Sequence, residues 1–233
     1  MALGNNSSAI YVDIRNGKIF RYSKTEQEGT TPVLNSKGEK KHYFIYDYIE
    51  GHVTSFSTRE EEMQGTTKLV FQIHLSDGGD NYVVKMGVET AYFRMFCSVI
   101  PNIDWNYPVR LIPRIKEENG VKKSSMIIVN NNLPIKFYFT KDDPKGKPDI
   151  TVTKNKKGEI IDIDREDETQ FFMNVVSQAK SKLVHLAVAK QPSTSISVIT
   201  EEEPVITSKV SQKGIGSKTK SSENDEFIDD LPF

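Results

Sequence analysis

Aromatic side chains with lysine or arginine nearby in the sequence are the groups of this chain best suited to binding chemistry. Rings that stack on bases and cations that pair with phosphates hold single-stranded nucleic acids, and each stacked base contributes about 1–3 kcal/mol whatever its identity. Such residues would therefore bind without reading a base sequence. The candidates are Tyr43, Lys68, Lys85, Trp105, Tyr107, Arg110, Arg114, Lys122, Lys123, Lys136 and Tyr138.

Position along the chain separates the better candidates from the core. Trp105 and Tyr107 lie in a predicted loop, where a ring can meet a ligand. Arg110 and Arg114 fall on one face of a predicted edge strand, because side chains alternate along a strand. The lysines at 122–123 fall in the turn that follows, which is a usual place for phosphate contacts. Taken alone, an aromatic residue is more often a core residue than a stacking platform, and the rings assigned to the core are Phe71, Phe96 and Phe139.

Groups with catalytic or metal-binding spacing are scarce. The four histidines have no metal-ligand spacing to one another or to the single cysteine, and no nucleophile–base pair or phosphate-binding loop is present. Asp162, Asp164 and Glu166 could bind a divalent cation, but acids at the start of a predicted helix already suit its dipole. We therefore expect no enzymatic activity, no metal and no cofactor. The histidines are His42, His52, His74 and His185, and the cysteine is Cys97.

An acidic and apolar segment at the C-terminus is suited to capture by another protein. Residues 223–233 contain five acids and no base. Pro232 restricts the backbone before the last ring, so less entropy is lost on binding. Phe233 can fill an apolar pocket while its carboxylate pairs with a basic residue. The predicted partner-binding residues are Asp225, Glu226, Asp229, Asp230, Leu231, Pro232 and Phe233.

The elements that must position these residues follow from the periodicity of apolar side chains. Residues 9–23 predict a hairpin, because Asn16-Gly17 suits a turn whose two central residues need positive φ. Residues 42–139 predict three strands, a short amphipathic helix over 88–100 and two or three further strands. That order is typical of an OB-fold, a five-stranded Greek-key barrel with a helix between its third and fourth strands. The expected fold class is mainly β with α, an OB-fold-like barrel with an N-terminal hairpin and a long C-terminal helix before a disordered tail.

The chain beyond the predicted barrel divides into a helix, a linker and a tip. A helix from Asp164 is expected to pack its apolar stripe on the barrel or to mediate self-association. Residues 191–222 are rich in Ser, Thr, Lys, Glu and Gly, and cannot bury enough apolar surface to offset the entropy of ordering. The expected organisation is one single-stranded DNA-binding domain over 1–190, a disordered linker over 191–222 and a partner-binding tip over 223–233.

Charge and cysteine content indicate an intracellular protein. The chain has 31 basic and 32 acidic residues, and outside the tip 31 bases face 27 acids, a net charge of +4. A single cysteine forms no internal disulfide, which suits a reducing compartment. The N-terminus lacks the basic and apolar regions of a signal peptide, and no apolar run is long enough to cross a bilayer. We expect a cytoplasmic protein without a membrane partner.

Two features resemble the single-stranded DNA-binding protein family. The terminal Asp229-Asp-Leu-Pro-Phe233 is similar to the C-terminal tip of that family, with Leu231 in place of its usual isoleucine. A β-rich body followed by a linker and an acidic tip is the general plan of the family. The resemblance implies a protein that coats single-stranded DNA without strong sequence preference. It also implies that the tip recruits replication, recombination and repair proteins and covers the DNA groove when DNA is absent.

The body departs from the common bacterial pattern, because the expected hairpin and long helix extend the ordered part to about residue 190. The homotetramer of the family is therefore not implied, although a homo-oligomer stays open. These departures favour a diverged version encoded by a phage or mobile element and acting in the host cytoplasm. Two alternatives remain: a replication or recombination adaptor that docks host machinery through the tip without binding DNA, and a metal-dependent DNA enzyme using Asp162, Asp164 and Glu166.

Overall fold

Strands dominate the protein, for which a computed structural model describes residues 9–35, 38–63, 65–118 and 120–189. The expected linker over 191–222 and tip over 223–233 lie outside the described residues. A short 3-10 turn at Ile100–Asn102 accompanies two α-helices. The strands are β1 (Ile10–Arg15), β2 (Lys18–Ser23), β3 (Thr31–Leu34), β4 (Lys40–Tyr46), β5 (Ile49–Met63), β6 (Thr66–Asp77), β7 (Asp80–Gly87), β8 (Val109–Glu118), β9 (Val121–Asn130), β10 (Leu133–Pro134), β11 (Thr151–Lys154) and β12 (Ile160–Asp164), and the helices are α1 (Ala91–Val99) and α2 (Glu166–Ala189).

Ten strands form one mixed sheet in the order β10-β9-β8-β5-β6-β7-β1-β2-β4-β3. The pairing of β1 with β7 is parallel, whereas the other pairings within this sheet are antiparallel. The sheet is not closed, because β1 occupies the edge of β7 that a barrel would need for closure. The mainly β class with a C-terminal helix is confirmed, and a closed five-stranded barrel is not.

The predicted N-terminal hairpin is confirmed as β1 and β2. Asn16 and Gly17 at its turn have φ of 45° and 71°, the left-handed values that this type of turn requires. Gly17 also lies so close to β8 that a Cβ there would be 2.7 Å from the backbone nitrogen of Ile115. The backbone N–H of Gly17 donates to the hydroxyl of Tyr92 on α1 at 3.0 Å. The turn therefore holds the hairpin against both β8 and α1.

Phenylalanine side chains fill the core between the sheet and the helices. The rings of Phe56 and Phe71 stack with centroids 5.7 Å apart, and Phe93 of α1 meets Phe172 of α2 edge-on at 6.4 Å. Truncating such a ring to alanine costs about 3–5 kcal/mol. The predicted core rings Phe71, Phe96 and Phe139 are all buried, as is the apolar stripe of α2, formed by Phe172, Val175, Val176, Ala179 and Leu183.

Capping groups set the starts of both helices. The hydroxyl of Thr90 accepts a hydrogen bond from the backbone N–H of Phe93, which caps α1. A carboxylate oxygen of Asp164 accepts from the backbone N–H of Glu166 at 2.9 Å, where α2 begins. Helix α2 therefore starts two residues later than the sequence predicts, because Asp164 is outside the helix and supports its first turn.

Two strands in the first half of the chain differ from the sequence prediction. The polar composition of residues 24–41 predicts a loop, yet they contain β3, which pairs with β4. Residues 42–56 are predicted to form one strand, or two that divide near Gly51. The division lies at Asp47-Tyr48, and Gly51 sits inside β5, where a Cβ would be 3.1 Å from Leu75 Cβ and leave little room for a side chain.

Two segments in the second half also differ. Residues 135–139 read as a strand, but their backbone is irregular, because Tyr138 N donates to the carbonyl of Ser98 at the end of α1 at 2.7 Å. The polar composition of residues 141–158 predicts a loop, yet they contain β11, whose one partner among the described strands is β12. Both segments follow long-range contacts that local periodicity does not encode.

Candidate nucleic-acid interface

A row of directly paired residues crosses six strands on the face of the sheet opposite the phenylalanine core. From β5 to β4 the row is Ser57, Gln72, Lys85, Asp13, Phe20 and Ile45. Side chains two positions away along a strand lie on the same face, so three tyrosines and their cationic neighbours also lie on this face. We call the surface formed by Tyr11, Arg15, Tyr22, Lys41, Tyr43 and Lys85 the tyrosine face.

Tyr43 is the centre of the tyrosine face. Its ring lies edge-on to Phe20 and to Tyr22, with both centroids 5.7 Å away. The guanidinium carbon of Arg15 is 5.4 Å from the centroid of Tyr43. Tyr43 is only 6% exposed, whereas Tyr22 is 38% exposed. Tyr43 therefore supports its neighbours, and Tyr22 offers a ring to a ligand.

A lysine accompanies each exposed tyrosine of this face. Lys41 Nζ is 6.0 Å from the ring centroid of Tyr22. Lys85 Nζ is 5.7 Å from the ring centroid of Tyr11, which is 52% exposed. At such distances a cation is attracted to the ring by about 0.5–2 kcal/mol. Lys41 is half-buried, so Tyr22 has a cation that a phosphate can approach, whereas the ammonium of Lys85 is buried and paired with Glu61.

Buried charges lie beneath these rings. Glu61 accepts a hydrogen bond from Lys85 Nζ at 3.1 Å and forms an ion pair with Arg59, whose Nε is 2.9 Å away. Asp13 is paired in register with Lys85 and lies 3.4 Å from Arg15. Burial raises the pKa of Asp13 to about 7, and outweighs the opposing attraction of Arg15 and Lys85. The charge of the tyrosine face consequently changes near neutral pH.

A polar group with an unpaired donor continues the row on β5 and β6. The hydroxyl of Ser57 donates to Gln72 Oε1 at 3.0 Å and lies 2.7 Å from His74 Nε2. The amide nitrogen of Gln72 is buried and has no hydrogen-bond partner among the residues that the structure describes. Burial lowers the pKa of His74, and the charge of Lys180 on α2 lowers it further, so the neutral imidazole is favoured.

Three of the residues predicted from sequence lie on this side of the sheet. Tyr43 and Lys85 belong to the tyrosine face, although both are buried, because Phe20, Tyr22 and Arg15 surround Tyr43, and Lys85 turns towards Glu61. Lys68 is half-buried and paired in register with Glu61. These residues contribute charge to the surface. Its exposed rings are Tyr11 and Tyr22, which the sequence analysis did not select.

The predicted basic residues of β8 and β9 form a separate surface. Arg110 and Arg114 share one face of β8, as predicted, and Leu111 and Pro113, which alternate with that face, are buried. The strand is not at an edge of the sheet, contrary to the sequence prediction, because β8 lies between β9 and β5. Arg110 donates two hydrogen bonds to Glu50 and covers the ring of Tyr48 at 5.0 Å, so its charge is already paired. Arg114 is exposed, and its backbone lies against the turn at Gly17, next to the end of β1 that carries Arg15.

The two lysines after that strand point in different directions. Lys123 and Lys116 face each other across β8 and β9, and both bind Glu118 at 2.7 Å, which lowers the pKa of this carboxylate. Lys122 is paired in register with Glu117 on the other face of the ribbon and is exposed. The predicted pair at 122–123 therefore does not act as one phosphate clamp.

The predicted aromatic loop is anchored to the body. Trp105 packs edge-on against Phe56 at 5.8 Å and is partly buried. Tyr107 is 42% exposed. The side-chain amide of Asn130 donates to the carbonyls of Asp104, Tyr107 and Pro108, which holds the loop in place. Only Tyr107 of the two rings is available to a ligand.

Lys136 and Tyr138 lie beside the end of α1, which packs on the core face of the sheet. Lys136 is exposed, and its carbonyl accepts from the side chain of Asn102. The ring of Tyr138 is covered by Lys145, whose Nζ is 4.0 Å from the centroid, and it meets Phe139 edge-on. These two residues are therefore not brought together with the tyrosine face.

Sequence reasoning missed Tyr11, Arg15, Tyr22 and Lys41. A signal was present, since Tyr11, Asp13 and Arg15 alternate with the buried residues Val12 and Ile14, a period-two pattern that marks the second face of a strand. What the pattern does not give is the neighbour of β1, because its parallel pairing with β7 joins residues about seventy positions apart. Without that pairing, Tyr11 cannot be placed beside Lys85.

The acids considered for a metal site have separate structural roles. Asp162 lies on β12, Asp164 supports the first turn of α2, and Glu166 begins that helix. In the described ranges, no three His, Cys, Asp or Glu side chains are grouped so as to hold a metal ion. The helices that the structure describes include none long and apolar enough to cross a membrane.

Comparison of the chain with protein-family models, with curated proteins and with solved structures finds no match. The residues of the tyrosine face and the C-terminal sequence, which lies outside the described residues, are the features of this chain that bear on function.

Proposed function

We propose that this protein binds single-stranded DNA across the tyrosine face. The observation that carries the proposal is the presence of two exposed rings, Tyr11 and Tyr22, on one continuous face of the sheet, with Lys41 beside Tyr22. Rings bind bases by stacking, and cations such as Lys41 bind the phosphates that link them. Lys85 is buried and paired with Glu61, so it supports the ring of Tyr11 from below and is not assigned to a phosphate.

A single strand suits this face better than a duplex. The two exposed rings need bases whose flat faces are free, and a duplex hides those faces within its own stack. Binding by stacking would tolerate any base, so we propose coating of DNA without strong sequence preference.

The wider proposal follows the resemblance of the chain to single-stranded DNA-binding proteins. Five strands are neighbours in the order β9-β8-β5-β6-β7, and α1 follows β7 in the chain, which supports an OB-like body. The edge of β7 that would close a barrel is paired with β1. The acidic C-terminal residues would recruit replication, recombination and repair proteins. A cytoplasmic protein, in a host cell if a phage encodes it, would meet both kinds of partner.

Titration of a fluorescently labelled oligo(dT) with the full-length protein tests this proposal. Tyr11→Ala and Tyr22→Ala should each weaken binding by about 1–3 kcal/mol, which is about 5- to 150-fold in Kd, because each removes a stacking platform. Fluorescence anisotropy at two salt concentrations measures both Kd and the number of phosphates neutralised, since log Kd follows log salt concentration.

Tyr46→Ala is the matched control. Tyr46 lies on the same strand as Tyr43, is 42% exposed, and pairs in register with Ile19 on the opposite face. Its removal should leave Kd unchanged. Equal losses in all three variants, or salt-independent binding, would overturn the proposed interface, and absence of any oligo(dT) binding would overturn the proposed function.

A further inference from the structure

Two buried carboxyls lie beneath the rings of the tyrosine face and differ in how well they are paired. Glu61 lies 3.1 Å from Lys85 Nζ and 2.9 Å from Arg59 Nε. Asp13 is 9% exposed, and among the described residues its carboxyl accepts one hydrogen bond, from an Arg15 nitrogen 3.4 Å away. That distance is longer than the usual range for an N–H donor. Asp13 is therefore the less well paired of the two acids.

The two cations beside Asp13 also have other contacts. The guanidinium of Arg15 lies over two rings, 5.9 Å from the centroid of Phe20 and 5.4 Å from that of Tyr43. Lys85 is in register with Asp13, but its Nζ donates to the other buried acid. A carboxyl that is buried and incompletely paired favours its neutral form.

The remaining charges around Asp13 do not reverse this preference. Burial is the main cause that raises the pKa of Asp13 to about 7; the charge of Glu61 acts in the same direction, and Arg15 and Lys85 act against it. His74 titrates separately, because burial lowers its pKa. Besides the tyrosines, the charged and titratable groups on this face of the neighbouring strands are Arg59 and Glu61 on β5, Lys68 and His74 on β6, Lys85 on β7, Lys18 on β2 and Lys41 on β4.

The proposed ligand carries negative charge into the surroundings of Asp13. Tyr11 is two residues from Asp13 on β1, about 7 Å along an extended strand. Tyr22 is equally far along β2 from Phe20, which is in register with Asp13. A base stacked on either exposed ring brings a phosphate close to the carboxyl, and salt screens charges in a partly buried site only weakly. Bound DNA therefore favours the uncharged acid.

On the basis of the proposed function, we propose that single-stranded DNA binds the tyrosine face together with a proton, which a carboxylate oxygen of Asp13 takes up from solvent. DNA and the proton then strengthen each other's binding, because linkage is reciprocal. Affinity for DNA is highest at a pH where the free protein already carries this proton. It falls as pH rises through the pKa of Asp13 in the free protein, by at most about tenfold per pH unit for one proton, and levels off above the pKa of Asp13 in the complex.

The pH dependence of oligo(dT) binding tests this coupling. In fluorescence anisotropy at constant ionic strength, the Kd of the full-length wild type should rise by about 5- to 10-fold between pH 6 and pH 8.5, which corresponds to a shift in pKa of about one unit on binding. Asp13→Asn stays neutral at both pH values, so this rise should be lost. Asp142→Asn, at an exposed aspartate, is the matched control and should follow wild type.

Calorimetry counts the proton directly. The heats of binding measured at pH 7.5 in phosphate and in Tris differ by the number of protons taken up times the difference in buffer ionisation enthalpy. We expect wild type to take up a fraction of one proton more than Asp13→Asn. Equal uptake by both proteins, or a pH dependence that survives the substitution, overturns the coupling while oligo(dT) binding stays. No oligo(dT) binding at either pH overturns the proposed function, and the coupling with it.

Glu61→Gln separates a titrating role of Asp13 from a structural one. Without the charge of Glu61, Lys85 can turn to Asp13 and lower its pKa, so the fall in affinity should move to lower pH. A merely structural role of Asp13 would not respond to this substitution. A fall that stays at the same pH, in a variant that circular dichroism shows to be folded, contradicts the proposal.

Discussion

Asp13 makes the stability of this protein depend on pH at the scale of one residue. Its carboxyl is buried between Lys85 and Arg15, and its pKa is raised to about 7. As pH rises from 4 to 7, the unfolded chain loses this proton and the folded chain keeps it, so the free energy of unfolding falls over that range and then levels off. Three pH units at 1.36 kcal/mol each correspond to a loss of about 4 kcal/mol.

Asp13→Asn should remove this part of the pH dependence. The amide stays neutral at every pH, so the variant should gain stability relative to wild type between pH 5 and pH 8. Urea unfolding at those two pH values measures the difference. Asp142→Asn, at an exposed aspartate with no hydrogen bond in the described ranges, is the control and should follow wild type. An unchanged difference between Asp13→Asn and wild type at both pH values would show that Asp13 ionises freely in the folded protein.

Sequence alone indicates candidate binding residues and fails to say which are accessible. Tyr43 and Lys85 were selected by their sequence neighbours, and both are buried, Tyr43 by contacts with Phe20 and Arg15 that come from other strands. Trp105 lies in a loop, as predicted, yet its ring packs on Phe56. Exposure is a property of the packed sheet, and local sequence carries little information about it.

At the scale of elements, the β1–β2 turn joins the hairpin to the rest of the fold, and Gly17→Ala tests it. The new Cβ would lie 2.7 Å from Ile115 N, in addition to the cost of a left-handed backbone, about 1–2 kcal/mol. Gly120→Ala measures the cost of the left-handed backbone alone, because Gly120 has φ of 75° and no described neighbour within 4 Å of its Cβ position. We expect Gly17→Ala to lower the free energy of unfolding by more than Gly120→Ala, as measured by chemical denaturation. Equal losses would show that the turn moves away from β8 without cost.

Most elements of this fold could be predicted, whereas their neighbours could not. The hairpin turn follows from Asn16-Gly17, and α1 and the apolar stripe of α2 follow from apolar residues at helical spacing, with Pro101 after α1. The parallel pairing of β1 with β7 and the formation of β11 depend on distant partners, and the polar composition of residues 141–158 gives no hint of a strand. Local preference fixes elements, and long-range pairing fixes which elements touch.

At the scale of the whole molecule, the acidic C-terminus and the tyrosine face are expected to compete or to cooperate through charge. Deletion of residues 225–233 should leave oligo(dT) affinity unchanged or increase it, because four acids are removed from a chain that binds a polyanion. The same deletion should abolish binding to host replication and repair proteins, measured by pull-down with purified partners. Weaker binding of oligo(dT) after deletion would contradict the expectation that the acids mask the DNA site.

A scrambled C-terminus separates charge from sequence in that experiment. A variant with residues 225–233 in random order keeps its acids, so its oligo(dT) affinity should equal that of wild type. It loses Leu231-Pro232-Phe233 as a unit, so partner binding should be lost as in the deletion. Retained partner binding would show that acidity alone recruits the partners.

The parallel pairing of β1 with β7 has a consequence for the timing of function. The tyrosine face contains residues from β1 and from β7, so it forms only when β1 pairs with β7. Contacts this distant in sequence form slowly, because a long loop must close first. A bound strand of DNA would contact residues of both strands and so stabilise the pairing of β1 with β7. Amide hydrogen exchange in β1 and β2 should therefore slow when oligo(dT) is present, while exchange in α1 stays the same.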